Sequence, residues 1–341
     1  YRDVDPRIGD LAQFDELVQE LHARGIRIFV DIVPNHCSDR HVWFQAALKA
    51  GRGSKERDRF IFREGRGENG ELPPSDLASH FGPQGWTRVE DGQWYLHLFT
   101  KEQPDFNWDN PEVHEDFLKT LKFWSDRGVD GYRIDVAHAL KKSLEPLPDR
   151  KSFSLEVMKS DGTDALFDRD EVHEVYRAWR ELFNQYDPPR VAVAEAWVHP
   201  HRRAAYASES GLGQAFNFDL LAAAFDSESY RTVIDKNLAF SKESGSSSTW
   251  VLSNHDVIRH ATRMVIPGYG LSADGFGDEN RWYVENRLNH NLDLDLGLRR
   301  AKAASLLIMA LPGSTYIYQG EELGLHDVLD IPSDQMQDPQ W

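Results

Sequence analysis

Cysteine is almost absent from this chain: Cys37 stands alone among 341 residues. One thiol cannot close an intramolecular disulfide, so the sequence is not that of a small stapled scaffold, and a reducing, cytoplasmic setting is the expectation. Long apolar runs are missing too; nothing approaches the roughly 18 consecutive apolar residues of a membrane span. Positive charge is scarce, with 39 Lys and Arg against 56 Asp and Glu and a formal net charge of −17. Such a chain is repelled by nucleic acid and by anionic lipid, which leaves a small neutral ligand as the expected partner. Several chemical signatures are absent as well. There is no Gly-rich dinucleotide or phosphate loop, no His-Glu-x-x-His or Cys-x-x-Cys, and no Gly-x-Ser-x-Gly elbow. Nucleotide, zinc and serine-hydrolase chemistry therefore start at a disadvantage.

What is present is an alternation of helix and strand. Asp10 with Gln13 reads as a capping box, followed by Leu11, Phe14, Leu17, Val18 and Leu21 at helical spacing and a stop at Gly25. Ile26 to Val33 is a nearly continuous apolar run, as expected of a strand buried on both faces. From Cys37 to Gln103 the pattern dissolves into Gly, Pro and charge with short aromatic strands near Trp94 to Phe99, too long for a plain loop. Asn110-Pro111-Glu112 then opens a helix whose apolar face is Val113, Phe117, Leu121 and Trp124. Strands are expected at Val129–Ile134, Val191–Ala194, Gln214–Phe218, Thr249–Leu252 and Thr315–Tyr318, with helices over Asp170–Asn184, Leu220–Phe225, Tyr230–Phe240 and Gly297–Leu311. Long loops fill Lys141–Asp168 and the Gly/Asp/Asn-rich stretch up to Leu296. Six strands alternating with helices point to a parallel sheet, either doubly wound or a barrel.

Polar clusters follow the ends of several strands, and this favours the barrel, whose active site is built at that face. The clusters are Asp31 with Asn35-His36, Arg133 with Asp135, Glu195, and Asn254-His255-Asp256. Taken singly, each reads as a helix cap or a structural ion pair. Together they gather carboxylates that repel one another unless Arg offsets them or one stays protonated, the arrangement acid–base and nucleophilic work on a glycosidic bond requires. Metal ligation by His36, His255, Asp135 and Asp256 is the competing reading; without a metal-ligand spacing none is assigned. Arg133, two residues before Asp135, is expected to keep that carboxylate ionised, while the apolar Val191–Ala194 and Trp197 are expected to raise Glu195.

The ordered set Asp31-Ile-Val-Pro-Asn-His36, Gln103-Pro-Asp-Phe-Asn-Trp108, Gly131-Tyr-Arg-Ile-Asp135, Glu195-Ala-Trp197 and Leu252-Ser-Asn-His-Asp256 resembles the sequence regions of the α-amylase family of glycoside hydrolases. Tyr1-Arg-Asp-Val-Asp-Pro-Arg-Ile-Gly9 and Tyr316-Ile-Tyr-Gln-Gly-Glu321 resemble its flanking motifs. The resemblance implies an α/β (β/α)8 TIM barrel, incomplete here because the first two strands lie outside the chain. Residues 1–36 and 104–341 would form the partial catalytic barrel, and 37–103 a small subdomain inserted after the third barrel strand. It implies Asp135 as nucleophile, Glu195 as general acid/base and Asp256 as transition-state stabiliser. Arg133 would orient Asp135, His36 and His255 would bind sugar hydroxyls, and Phe99, with Trp43, Trp86 and Trp94, could offer stacking surfaces. Asp105, Asn35 and Tyr1 are more simply structural. No cofactor is implied as required; Asn35 resembles a position that binds a structural calcium in some members. Within the family the bacterial α-glucosidase and oligo-1,6-glucosidase branch is the most similar, and Val136 after the nucleophile resembles α-1,6-active members, where strict maltases usually carry Thr. Tyr132 departs from the family's Phe. The implied activity is a retaining exo-α-glucosidase acting on α-1,4 or α-1,6 bonds of short oligosaccharides. Alternatives are a trehalose- or sucrose-isomerising transglucosylase, whose acceptor loops would be Lys141–Asp168 and Pro267–Leu296, and a non-catalytic binding or transporter-associated relative.

Overall fold

The capping box at Asp10 forms as the sequence suggests. In the computed structural model, which describes residues 1–270 and 277–337, the Asp10 carboxylate accepts from the Gln13 amide at 2.9 Å and the Gln13 side chain accepts from the Asp10 amide at 3.1 Å. Two orphan donors are thereby satisfied at the start of helix α1, Leu11–Ala23. Strand β1, Phe29–Ile32, is shorter than the apolar run and not buried on both faces: Phe29 is 44% exposed and only Ile32 is buried. The reason is its place at the edge of its sheet, with no hydrogen-bonded strand on its outer side among the described residues.

Helix α2, Val42–Ala50, and strands β2, Phe62–Glu64, β3, Trp86–Arg88, and β4, Gln93–Leu96, come next. The three strands form their own antiparallel sheet in the order β2-β4-β3. Helix α3, Pro111–Asp126, starts where Asn110 accepts from the Glu112 amide at 2.9 Å. Its expected stripe of Val113, Phe117, Leu121 and Trp124 is buried throughout. Each such side chain contributes about 1.5–3 kcal/mol by leaving water. The unit continues with β5, Gly131–Ile134, α4, Val172–Phe183, β6, Val191–Ala194, α5, Arg203–Ala207, and β7, Gly213–Ala215. Lys141–Asp168 carries neither helix nor strand, as expected. Tyr132 has a reason for its hydroxyl: fully buried, it donates to the Leu121 carbonyl at 2.7 Å and lies 2.6 Å from Ser125 Oγ.

The main sheet is parallel, in the order β1-β5-β6-β7. Its register sets the height of each acidic side chain. Ile32, Ile134 and Ala194 lie abreast, so Asp135 and Glu195 leave their strands at the same level. Asp31 and Arg133 are register partners and project to one side of adjacent strands.

These elements belong to the first of two compact units, Tyr1–Ala215; the second is Phe216–Trp341. The second holds α6, Asp219–Ala222, α7, Ser227–Ser244, β8, Thr249–Val251, α8, His260–Arg263, α9, Gly277–Asn286, α10, Leu294–Ala310, and β9, Ser314–Tyr316. Strands β8 and β9 pair in parallel. Helix α7 is capped by Asp226 and closes on Gly245 at φ 72°, a left-handed cap that glycine adopts without a Cβ penalty. The stretch expected as open loop up to Leu296 contains α8 and α9, and α10 begins earlier than expected because Asp293 caps it, accepting from the Leu296 amide. Residues 271–276 of the expected acceptor loop, and 338–341, lie outside the described residues. No helix among the described residues is long and apolar enough to cross a membrane.

Candidate active site

Arg133 is the hub of the first unit's strand ends. Its Nη1 donates to Asp31 at 2.8 and 3.0 Å and to Asp135 at 2.5 Å, and its Nη2 donates to Glu195 Oε2 at 2.6 Å. Glu195 gathers two further donors: the Val136 amide at 3.2 Å on Oε2 and the Trp197 indole at 3.1 Å on Oε1. Asp135 and Glu195 are largely buried, with side chains 17% and 9% exposed, whereas Asp31 is half exposed.

Three carboxylates around one guanidinium cannot all be ionised cheaply. Burial, then the charge of Glu195, raises the Asp135 pKa to about 7, with Arg133 offsetting only part of this. Burial also opposes the Glu195 charge, but Arg133, the Val136 amide and the Trp197 indole outweigh it, and Glu195 is lowered. This reverses the sequence expectation for both residues. One guanidinium shared three ways protects Asp135 less than assumed, and Trp197 acts on Glu195 as a hydrogen-bond donor instead of an apolar wall. Asp135 is raised and Glu195 lowered, so the two carboxyls titrate as one pair.

His36 lies beyond β1, buried, with Nδ1 3.2 Å from Asn35 Nδ2 and Nε2 3.1 Å from Gln103 Nε2. Burial lowers its pKa, so the ring is neutral at physiological pH. Its ring lies 4.9 Å from Phe99, and Phe99 lies 4.9 Å from His80. Sequence reasoning did not single out His80. It is stacked between Phe99 and Phe153, at 4.9 and 4.3 Å with interplanar angles of 13° and 25°. Its faces are covered while its edge is exposed; the enclosing protein still pushes its pKa down to about 4. Neither ring nitrogen has a partner among the described residues. The rings continue through Phe167 to His138, just beyond Asp135. The signal for this wall was scattered single aromatics in two irregular segments, with no period to reveal it.

The other candidates sort plainly. Tyr1 donates to the carbonyls of Val33 at 3.0 Å and His36 at 2.7 Å, which fixes the chain leaving β1. Trp86 is fully buried with its indole on Ser75 and closed to a sugar, and one face of Trp43 is covered by the Arg59 guanidinium at 4.5 Å. Trp94 is part-buried and donates to the Gly70 carbonyl. Cys37 is buried, and burial holds its thiol well above the usual range, against a reactive role. In the second unit His255 and Asp256 lie beyond β8 with His255 Nε2 3.4 Å from Asp256 Oδ1 and side chains 61% and 52% exposed. The Asp256 amide donates to Asn254 Oδ1 at 2.9 Å.

Asn35 tests the calcium expectation. Its Oδ1 accepts from Lys142 Nζ at 2.9 Å, and the same ammonium donates to the Ala139 carbonyl at 2.6 Å and lies 3.1 Å from Asp105 Oδ2. A buried cation already occupies this oxygen cluster, so these residues do not fit a calcium ion. Among the described residues no three His, Cys, Asp or Glu side chains are grouped to hold a metal.

Residues 1–268 match the family model described as alpha amylase, catalytic domain. The chain is 31% identical over 342 residues to the oligo-1,6-glucosidase of Parageobacillus thermoglucosidasius, covering 96% of this chain and 55% of that protein. It is 32% identical over 328 residues to the trehalose-6-phosphate hydrolase of Escherichia coli strain K12, covering 95% and 54%. Among solved structures, the alpha-glucosyl transfer enzyme XgtA superposes with a TM-score of 0.77 at 29% identity, covering 100% of this chain and 60% of that one. The chain thus spans about half the length of the relatives it matches. The fold these matches imply is a (β/α)8 TIM barrel. The family match over residues 1–268, together with these relatives, places the chain in the alpha-amylase catalytic-domain family, on its α-glucosidase branch.

Proposed function

We propose that this chain is the greater part of the catalytic barrel of a retaining exo-α-glucosidase that releases glucose from α-1,4 or α-1,6 bonds of short oligosaccharides. The observation that carries the reading is the Arg133 clasp, in which one guanidinium donates to Asp135 at 2.5 Å and to Glu195 at 2.6 Å. Attack needs Asp135 ionised and departure needs Glu195 protonated, so with substrate bound the pair must hold its proton on Glu195. An Asp135 oxygen then bonds to the anomeric carbon while the bond to the glycosidic oxygen breaks and Glu195 delivers its proton to that oxygen. In the second half Glu195 takes a proton from water, whose oxygen replaces Asp135 on the anomeric carbon. Asp256 is assigned to stabilise the positive charge that develops on the sugar ring. His36, His255 and Phe99 are assigned to the sugar. The neutral His36 ring carries one acceptor nitrogen and so accepts from only one of the Asn35 and Gln103 amide groups beside it.

The segment 37–103, with its own antiparallel sheet, is proposed as a subdomain inserted after the third barrel strand, and the open outer edge of β1 fits strands lying outside the chain. The net charge of −17 supports a neutral sugar as partner and argues against nucleic acid and anionic membranes. No cofactor is proposed, and the Lys142 ammonium supports activity without calcium at Asn35. Glucosyl transfer to a sugar acceptor uses the same covalent intermediate, and the likeness to a glucosyl-transfer enzyme keeps it as the second reading.

The test is turnover of an aryl α-glucoside by the full-length protein, with the first sugar product monitored by NMR. Release of α-glucose and loss of turnover in Asp135→Asn support the proposal. β-Glucose as first product, or an active Asp135→Asn, overturns it. Products from maltose, isomaltose and sucrose then assign linkage and separate hydrolysis from transfer.

A further inference from the structure

Two non-glycine residues among those described have left-handed backbones, Val136 at φ 44° and Asp168 at φ 49°. A β-branched residue in this region is a true outlier, and it persists only where surrounding contacts hold it. Val136 comes directly after the proposed nucleophile, and the chain around it is tied down group by group. The Val136 amide donates to Glu195 Oε2 at 3.2 Å and the Ala137 amide to the Glu195 carbonyl at 2.8 Å. The Val136 carbonyl accepts from Ala139 at 3.0 Å, the Ala137 carbonyl from the Tyr176 hydroxyl, and the His138 carbonyl from the Asp168 amide at 2.7 Å.

That last bond links the two outliers. Asp is among the few side chains that tolerate a left-handed backbone, and the conformation at Asp168 accompanies an amide directed at His138. The Asp168 side chain, fully buried, is itself fastened from the segment beyond β6. Arg202 Nε donates to Oδ2 at 2.8 Å and Tyr206 donates to Oδ1 at 2.9 Å. Arg202 Nη2 adds contacts to the Asp168 carbonyl at 3.2 Å and to Asp170 at 2.6 Å. One residue thus connects the segment after the nucleophile strand to the segment after the acid/base strand.

We propose that Asp168, anchored by Arg202 and Tyr206, is a positioning residue that holds the Val136–His138 turn so that the Val136 amide stays on the Glu195 carboxylate. The proposal rests on the glycosidase reading of Asp135 and Glu195. A purely structural Asp–Arg pair would stabilise the loop without touching the proton of the catalytic pair, and this is what separates the two roles.

Asp168→Asn keeps the size and the left-handed tolerance and gives up the charge that binds Arg202. With the turn released, Glu195 loses an N–H donor to its ionised form and the pair holds its proton more tightly. In the full-length enzyme kcat falls about 10- to 100-fold with KM within about twofold, and the alkaline limb of the pH–rate profile moves up by about half a unit or more. Tyr206→Phe, which removes a single donor, moves the limb the same way by less, and it carries the test if Asp168→Asn does not fold. The other groups that face the pair (Arg133, Asp31 and His138) and those that face Asp168 (Arg202, Asp170 and His173) are unchanged in both variants. The shared proton is also tracked without substrate, by infrared difference titration of the carboxyls against Asp135→Asn. If the wild-type protein turns over no glucoside, the glycosidase reading fails while this titration still reads the positioning. A profile and titration that superimpose on wild type in either folded variant overturn the proposal.

Discussion

In the first unit three carboxylates share one guanidinium at the level ends of β1 and β5 and just past β6; in the second, Asp256 lies beyond β8 with its side chain half exposed and a histidine at 3.4 Å. The two sites treat acidic charge differently. Where carboxyls are buried, their charge is set by hydrogen bonds and by each other, and a proton becomes part of the structure. Where water reaches the group, solvent screens its charge. The first arrangement suits groups that exchange a proton in the reaction. The second holds the carboxylate proposed to stabilise charge on the sugar.

The largest effect that can test this contrast is on rate. Asp135→Asn and Glu195→Gln are each expected to lower kcat by about 10⁴-fold or more, because such groups act as a unit. For Glu195→Gln the loss should shrink with a substrate whose leaving group needs no proton, such as α-glucosyl fluoride. Asp256→Asn should show no such dependence on leaving group. Equal dependence in Glu195→Gln and Asp256→Asn would erase the distinction between the two sites.

Next in size is the stability of the clasp itself. Arg133→Gln leaves Asp135 and Glu195 largely buried without their shared cation, at an expected cost of about 3 kcal/mol, read by urea unfolding at pH 7. Lys142→Met strands the fully buried Asp105 carboxylate in the same way, with a loss of similar size. Calcium at millimolar concentration should not restore it; full restoration would show that the oxygens around Asn35 accept a metal after all.

How much of this was legible in the sequence depends on the kind of signal. The parallel strands after β1 appeared near their expected places, and β6 matched residue for residue, because short buried strands are uninterrupted apolar runs. β1 misled because burial depends on a neighbouring strand, which no run of residues reveals. Helices α8 and α9 were missed because their segments are polar and lack a helical period. Arg133, Asp135 and Glu195 were singled out from their position at strand ends and lie together, but the charge states of the two carboxyls were not legible. Those states arise from Asp31 and Arg133 being register partners and from the Val136 amide and Trp197 indole meeting on Glu195, facts of three dimensions. Asp168 and His80 sit in irregular loops, where neither period nor motif marks them.

A smaller effect comes from the raised Asp135. A carboxyl whose folded pKa, about 7, lies above its unfolded value binds a proton more tightly when folded. Between the two values the unfolded chain holds fewer protons, so this group's contribution to stability declines as pH rises from about 4 to about 7. Asp135→Asn removes a charge that burial and Glu195 oppose. The variant should therefore match the wild type near pH 4 and exceed it by about 2 kcal/mol at pH 8, with Arg133 still held by Asp31 and Glu195. A stability difference that is flat with pH would place the shared proton elsewhere.

The smallest expected effect lies in the second unit, and it bears most directly on the contrast. His255 is 61% exposed and meets Asp256 at 3.4 Å, a geometry of little energetic weight. His255→Gln should change unfolding free energy by less than about 0.5 kcal/mol. If His255 binds a sugar hydroxyl as proposed, the same variant raises KM by about tenfold through the loss of one hydrogen bond, with kcat nearly unchanged. A large stability loss would mean that the Asp256 segment is as tightly built as the Arg133 clasp, and that exposure misrepresents it. An unchanged KM with unchanged stability would remove His255 from the binding residues and leave Asp256 as the second unit's one proposed contribution to the reaction.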